Sequence, residues 1–512
     1  MTQFTTLAEM VALHARQTPD APALSAPDGV PLSYGGLNQL IEQTLATLNA
    51  LGIGRGDRVG IVLPNCPEMA SAFVAVASAC TAAPLNMAYR ADEFEFYLTD
   101  LKAKALIVAT GSDTPARGVA AKLGMTVLEL SAQPERGAGC FVLSGNAVSA
   151  DAPAMSGPAH AGDVALILHT SGTTSRPKIV PLTHTNVCAS ARNISKTLAL
   201  SPTDRELHVM PLFHIHGLIA GVLAPMAVGS YIFCTPGFNA LKFFSWMKEC
   251  KPTWYTAVPT MHQTILSRAA GNLDVIAAHP LRFLRSSSSS MPTQVIAELE
   301  KVFNAPLIES YGMTEAAHQM SSNPLPPAKR VPGSVGIAAG PEVGIMDLNG
   351  QLLPTGAIGE IVIRGENVTL GYENNPKANA DGFTNGWFRT GDQGTLSADG
   401  YLSLTGRLKE IINRGGEKIS PLEVDEVLMD HPAVMQVVTF AMPHPKLGED
   451  VAAAVVLKEN HSLTERELRD FAATKLADFK VPKKILFLAE IPKGATGKLQ
   501  RIGLAEKLGL GA

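Results

Sequence analysis

The stretch Val164-Ala165-Leu166-Ile167-Leu168-His169 leads straight into Thr170-Ser171-Gly172-Thr173-Thr174-Ser175-Arg176-Pro177-Lys178. The first part is an apolar run of strand length. The second is a loop of small residues with several hydroxyls, free backbone N–H groups and two cations. Such a loop can wrap a triphosphate, because backbone donors form an anion nest while Arg and Lys neutralise charge. The GxxxxGK[ST] spacing of a Walker loop is absent, and composition alone fits a polar surface turn equally well.

Upstream of this loop, strand and helix patterns alternate. Val59 to Leu63 reads as a buried strand, Glu68 to Cys80 as a helix, and Ala105 to Thr110 and Met125 to Leu130 as further short strands. That alternation predicts a largely parallel sheet with helices on both faces. Thr6-Leu7-Ala8-Glu9 reads as a capping box opening the first helix. The Ala/Pro/Gly/Ser-rich stretch from Ser149 to Gly162 reads as a surface connection. Beyond residue 330, short alternating segments such as Gly359 to Arg364 predict antiparallel strands. After Arg407 the chain becomes charge-rich and long enough for a small α+β domain, with a helix over Leu422–Met429, strands near Val434–Phe440 and Ala452–Leu457, and a helix over Thr464–Lys475.

Composition narrows the function classes. The chain has 512 residues, 46% of them hydrophobic and 17% charged, as in well-packed soluble proteins of more than one domain. A formal net charge of -4 gives no field for nucleic acid or an anionic membrane. Six scattered cysteines form no zinc-like spacing and suit a reducing compartment. Val209 to Leu241 carries no charged side chain, is broken into short pieces by Gly and Pro, and reads as a buried helix followed by a strand. The last residues are no peroxisomal address, so the cytoplasm is the expected compartment.

Five segments, taken together, resemble the adenylate-forming superfamily of acyl-CoA synthetases, luciferases and peptide-synthetase adenylation domains. They are Thr170 to Lys178, Tyr311-Gly312-Met313-Thr314-Glu315, Trp387 to Asp392, Gly406-Arg407-Leu408-Lys409-Glu410, and Pro492 to Lys498, all in the superfamily's order. The resemblance implies an α/β fold: a large N-terminal domain over 1–407 with doubly wound sheets and a small β-barrel-like part, and a mobile small α+β domain over 408–512. It also implies ATP, Mg2+ and coenzyme A as co-substrates and cofactor, no nucleic-acid or membrane partner, and a monomer or dimer.

The residue roles follow from the same resemblance. Thr170, Ser171, Gly172, Thr173, Thr174 and Lys178 would grip the phosphates, and Glu315 with Thr174 would serve Mg2+, a hard cation suited to oxygen donors. Thr314 would contact the α-phosphate. Tyr311 and Gly312 would form the adenine wall, and Asp392 and Arg407 would hold the ribose. Lys498 would bridge carboxylate and α-phosphate in the transition state. Lys409 would be the hinge, and Gly415, Gly416 and Lys418 would face coenzyme A after the small domain swings.

For the acid, the segments that line the acyl pocket in this superfamily are polar here. Phe213-His214-Ile215-His216 supplies two imidazoles, Arg285-Ser286-Ser287-Ser288-Ser289-Ser290 a run of hydroxyls, and His318 follows Glu315. With Met320 to Pro326 and Arg414 to Pro421, this pattern looks most like oxalyl-CoA synthetases. The resemblance places oxalate on His214 (also a catalytic candidate), Ser288 and His318, with Ser287 and Ser289 as further candidates. Malonate activation is the nearest alternative. Malonyl-CoA synthetases tend to carry an arginine before YGMTE, where this chain has Ser310. A carrier-loading enzyme, a non-catalytic acyl-adenylate sensor and a luciferase-like oxygenase remain as other classes. Ile179 after Lys178, where relatives commonly have glycine, is an unexplained departure at this level.

Overall fold

The computed structural model describes residues 4–148, 152–170, 177–492 and 499–511. A capping box at Thr6, reciprocated by Glu9, starts the helix Leu7–Gln17. Apolar runs then become strands and amphipathic runs become helices, much as the periodicity predicts. Arg58–Val62, Ala105–Ala109 and Thr126–Ala132 are strands, and Pro67–Ala77 is a helix buried on all sides.

A seven-stranded sheet runs Phe141–Ser144, Thr126–Ala132, Ala105–Ala109, Arg58–Val62, Thr81–Pro84, Val164–His169, Ile179–Thr183. Its five inner strands are mutually parallel and its two edge strands antiparallel. A nine-stranded sheet holds Ile337–Ala338, His318–Ser322, Leu307–Met313, Phe283–Ser286, Trp254–Ala257, Arg205–His208, Tyr231–Cys234, Pro22–Ser25 and Leu32–Ser33 in that order. Residues of both sheets, Ile61 and Leu166 on one side and Leu24, Ile232 and Phe283 on the other, share one apolar core with the intervening helices. Burial of that kind stabilises by about 25 cal/mol per Å² of apolar surface.

In the nine-stranded sheet the strand order reverses around Arg205–His208, since its sequence successors lie on opposite sides of it. Ligand crevices form outside the carboxyl ends of strands at such switch points. The uncharged segment after it becomes the wide-turned helix His216–Leu223, the short helix Ala224–Met226 and the strand Tyr231–Cys234, all buried. Gly221 lets that helix lie on the sheet: a Cβ there would stand 2.3 Å from the His208 ring. Among the described residues no helix is long and apolar enough to cross a membrane.

The antiparallel part is a five-stranded sheet. Trp387–Leu396 pairs with Gly359–Arg364, Phe383–Thr384 and Leu402–Arg407, and Glu342–Met346 completes it. This five-stranded antiparallel sheet is the small β part expected within the large domain. The last hundred residues form a separate sheet of Glu417–Ile419, Ile412–Arg414, Gly448–Leu457, Val434–His444 and Lys484–Phe487, with helices Pro421–Met429 and Glu465–Ala473 and their own core. Cys80, Cys140, Cys188, Cys234 and Cys250 are buried and Cys66 is half-buried, all as free thiols. Burial raises the Cys188 and Cys250 thiols to about 12.

Glu309 sits buried in the strand Leu307–Met313, where Gly333 N–H donates to its carboxylate at 3.2 Å. Burial raises its pKa from 4.5 to about 8; the Gly333 bond and Arg330 oppose the shift, and Glu300 and Glu426 add to it. Between those two values the folded chain holds a proton that the unfolded chain has released, so stability falls as pH rises through that window. Glu309→Gln is therefore expected to melt with wild type at pH 4.5 and above it at pH 8.5. Thermal denaturation at the two pH values checks this; an unchanged gap between variant and wild type would defeat it.

Candidate active site

Three groups of side chains converge at the carboxyl ends of the central strands. The first comes from the hairpin Val164–His169 and Ile179–Thr183. Its ladder continues past the last strand pair, as Thr170 N–H donates to the Lys178 carbonyl at 3.0 Å and Lys178 N–H to Thr170 Oγ1 at 3.4 Å. The ends of the small-residue loop are thus pinned together. Ser171, Gly172, Thr173 and Thr174 lie outside the described residues, so their roles remain expectations. Ile179 pairs with His169 and packs in the core beside Val62 and Ala83, which accounts for a β-branched residue where glycine is commoner.

The second group surrounds Tyr311. Its hydroxyl donates to Asp392 Oδ2, and Arg407 Nε donates to Asp392 Oδ1 at 2.9 Å. Asp392 and Arg407 face each other across adjacent antiparallel strands, so this pair is set by register. The Asp392 carboxylate holds the Arg407 guanidinium well above its ordinary pKa. Asp392 is buried, while the Arg407 side chain is 43% exposed, so the carboxylate is anchored and the guanidinium presented. Gly312 has no room for a side chain, because a Cβ would lie 1.9 Å from the His318 carbonyl oxygen.

After Met313 the chain makes a single turn, Thr314–Ala316, closed by Ala317 in left-handed backbone. That turn leaves Thr314 half-buried and turns Glu315 inward, where it accepts from the Tyr372 hydroxyl at 2.8 Å. Burial raises the Glu315 pKa. No group of three or more His, Cys, Asp and Glu able to hold a metal exists among the described residues. A single buried carboxylate still fits Mg2+, which keeps waters and takes one or two carboxylates plus phosphate oxygens.

The third group gathers the imidazole and serine candidates, and its centre is a residue that the sequence motifs did not single out. Arg285 is fully buried at the end of the strand Phe283–Ser286. Its Nη1 donates to Thr256 Oγ1 at 3.2 Å and to His216 Nε2 at 3.3 Å. Its Nη2 donates to His318 Nε2 at 3.1 Å and to Gln319 Oε1 at 3.2 Å. Among the described residues it makes no ion pair, and its Nε has no hydrogen-bond partner. Burial pulls its pKa down to about 9, opposed by the charge of Glu206, which is itself buried and held by His208 at 3.2 Å.

A guanidinium donates only, so both imidazoles accept at Nε2 and carry their proton on Nδ1. His216 Nδ1–H then donates to Ser288 Oγ at 3.1 Å. The His216 and His318 rings stack with centroids 4.7 Å apart and planes at 17°. Ser288 and His318 both have positive φ, 76° and 94°, so each is turned to this position against its intrinsic preference. Beneath, the buried His262 donates from Nε2 to the Arg285 carbonyl at 3.0 Å and accepts from Tyr255 at Nδ1. Burial lowers its pKa to about 4, so it stays neutral.

The structure separates the serine candidates. Ser288 faces His216, whereas Ser287 is buried with its hydroxyl donated to the Ser310 carbonyl at 3.0 Å, and Ser289 is exposed and folds back on the Ser288 carbonyl. Ser287 and Ser289 therefore lie away from the imidazole pair. His214 is half-buried, its Nδ1 accepting from His216 N–H at 3.3 Å. Arg285 and Thr256 were not singled out from the sequence, and His216 was named only as one of the two imidazoles of its segment. Only their place at the ends of neighbouring strands, Arg285 opposite Thr256, could have signalled them.

In the C-terminal part, Gly415 and Gly416, both at positive φ, form the two-residue turn of the hairpin Ile412–Arg414 and Glu417–Ile419, with Lys418 exposed beside it. Two successive left-handed residues are what a tight hairpin turn requires, hence the glycines. Lys409 is exposed in the turn that links Leu402–Arg407 to this hairpin. Lys498 lies outside the described residues.

The model of the AMP-binding enzyme family matches residues 11–373, and that of the AMP-binding enzyme C-terminal domain matches residues 423–498. The chain is 45% identical over 511 residues to a probable CoA ligase, CCL9, of Humulus lupulus, covering 98% of this chain and 96% of that protein. It is 44% identical over 502 residues to an oxalate–CoA ligase of Arabidopsis thaliana, covering 97% of each. Among solved structures, ATP-bound MatB from Rhodopseudomonas palustris matches with a TM-score of 0.86 and 29% identity, covering 98% of each chain.

If Asp392 is the ribose acceptor, Asp392→Ala raises the KM for ATP by roughly 10- to 100-fold, the scale of a charged hydrogen bond. Tyr311→Phe, which spares the carboxylate, has a smaller effect. Steady-state kinetics with varied ATP test the pair; equal effects would place Asp392 in a purely supporting role.

Proposed function

Because the chain belongs to the AMP-binding enzyme family, we propose that it is an ATP-dependent, AMP-forming acid–CoA ligase whose acid is oxalate. One observation carries the choice of acid. Arg285 is a fully buried guanidinium with an unpartnered Nε and no ion-paired carboxylate among the described residues, flanked by two neutral imidazoles and Ser288. A buried charge without a counter-ion is costly. A substrate carboxylate supplies the missing partner, and the second carboxylate of a two-carbon diacid is left for activation.

The pocket wall supports a short acid for a second reason. Each buried methylene is worth about 0.8 kcal/mol only where apolar surface receives it. Here imidazole, guanidinium and hydroxyl groups meet the substrate instead, so a fatty chain gains nothing. The guanidinium comes from Arg285, one strand away from Ser310, so the absence of arginine before Tyr311 does not leave the pocket without a cation.

In the reaction, Arg285, His318 and Ser288 hold one carboxylate so that an oxygen of the other attacks the α-phosphorus of ATP. The bond to pyrophosphate breaks, leaving oxalyl-AMP. Glu315 would hold Mg2+, which would supply charge neutralisation on the leaving group. Thr314 and Lys498 would stabilise the charge on the α-phosphate oxygens. Rotation about Lys409 then withdraws Lys498 and brings the Gly415–Gly416 hairpin forward. The CoA thiol, as thiolate, attacks the acyl carbon and AMP leaves. Residues 1–407 and 408–512 are the two parts that alternate, and the cytoplasm is the compartment that fits six free thiols.

The test is AMP release with ATP, Mg2+ and CoA across oxalate, malonate, acetate, succinate and a medium-chain fatty acid. A preference for malonate would keep the ligase and overturn the acid; silence on all would favour an acyl-adenylate sensor. Arg285→Gln should lower kcat/KM for oxalate by roughly 100-fold or more, as loss of a buried charge partner does. Its effect on acetate should be much smaller; equal losses would assign Arg285 to folding. Lys498→Ala should stop adenylate formation and spare acyl transfer from supplied oxalyl-AMP. Survival of both half-reactions would identify it as the wrong lysine.

A further inference from the structure

Tyr372 touches two charged groups of the nucleotide site, Glu315 and Lys178. Its hydroxyl donates to Glu315 Oε1 at 2.8 Å, and Lys178 Nζ stands 4.3 Å from its ring centroid. The residue is 7% exposed and rigidly held. Its N–H donates to Asn379 Oδ1 at 2.7 Å, and Asn379 Nδ2 donates back to its carbonyl at 2.8 Å. Gly371, at φ 143°, makes room for that clamp, since a Cβ there would stand 3.0 Å from Asn379 Oδ1.

The segment around it ties together the two sides of the site. Thr369 N–H donates to the Glu315 carbonyl at 2.7 Å, and Thr369 Oγ1 to the Pro181 carbonyl at 2.8 Å. Glu373 N–H donates to the Ile179 carbonyl at 3.2 Å. One five-residue stretch thus bonds to the turn that carries Glu315 and to the strand leaving the phosphate loop. Tyr372 is the member whose side chain continues that link into the site.

We propose that Tyr372 is a positioning residue for the metal–nucleotide complex: its hydroxyl aims the Glu315 carboxylate at the cation, and its ring face docks the Lys178 ammonium beside the phosphates. With Oε1 engaged by the hydroxyl, Oε2 is the oxygen left to meet a cation. A donated O–H to a carboxylate is a charge-assisted bond that fixes direction as well as energy. The ring face attracts the ammonium through its quadrupole without neutralising it, so the lysine keeps its full charge for phosphate. The two functions are separable by chemistry, since phenylalanine retains the ring and loses the hydroxyl. This inference rests on the adenylate-forming reading of the site.

The experiment uses the full chain and ATP without acid or CoA. Thermal melting is followed against Mg2+ at saturating ATP, and against ATP in EDTA. For Tyr372→Phe, the Mg2+ concentration giving half the stabilisation is expected to rise roughly tenfold, as loss of a charge-assisted hydrogen bond does. Its metal-free ATP titration should match wild type. For Tyr372→Leu, the metal-free ATP affinity should also fall, by about threefold, the scale of an exposed cation–π contact. A Tyr372→Phe protein with the wild-type Mg2+ titration overturns the proposal, as does one that loses metal-free ATP affinity as much as Tyr372→Leu. Failure of the wild-type chain to be stabilised by ATP and Mg2+ would instead count against the parent reading, so the two failures are distinct.

Discussion

The site is organised by the placing of one cation where water cannot reach it. Arg285 is buried at the carboxyl end of a central strand, and every neighbour that it meets there is a neutral acceptor. Neutral acceptors satisfy its N–H groups without cancelling its charge. The positive potential is therefore carried to the pocket rather than spent on a protein carboxylate. Glu206, whose charge opposes the fall in the Arg285 pKa, is hydrogen-bonded to His208 rather than to the guanidinium. The imidazole tautomers, the stacking of His216 on His318 and the strained backbone at Ser288 and His318 all follow from serving that cation.

The same logic of fixed donors and acceptors recurs at the nucleotide end. Asp392 is anchored between a buried phenol and an exposed guanidinium, and Glu315 between a turn and a tyrosine. Both carboxylates are thereby aimed before any ligand arrives. Preorganisation of this kind lowers the cost of reaching the reactive geometry. The strands supply the aim: Asp392 faces Arg407 by register, and Arg285 faces Thr256 by register.

Local patterns were legible in the sequence. The Thr6 capping box, the buried strands near Val59 and Ala105, the helix after Ser420 and the long C-terminal strands lie where their periodicity and turn residues place them. The motif residues Tyr311, Asp392 and Arg407 come together across distant parts of the chain, which no local pattern could reveal. What stayed illegible was direction. In a run of five serines no periodicity tells which hydroxyl points inward, and only the positive φ at Ser288 turns that one to His216. Arg285 read as the start of that run, because its burial is decided by strands contributed from elsewhere in the chain.

The cysteines have a consequence for chemical selectivity. An acyl-adenylate is a strong electrophile, and any thiolate of the protein would compete with the intended thiol for its acyl group. Burial pushes the Cys66, Cys80, Cys188, Cys234 and Cys250 thiols up, so at neutral pH their thiolate fraction is very small. The packing that fills the core thus also silences these five thiols, and an enzyme that makes thioesters for a living is kept from acylating itself at them.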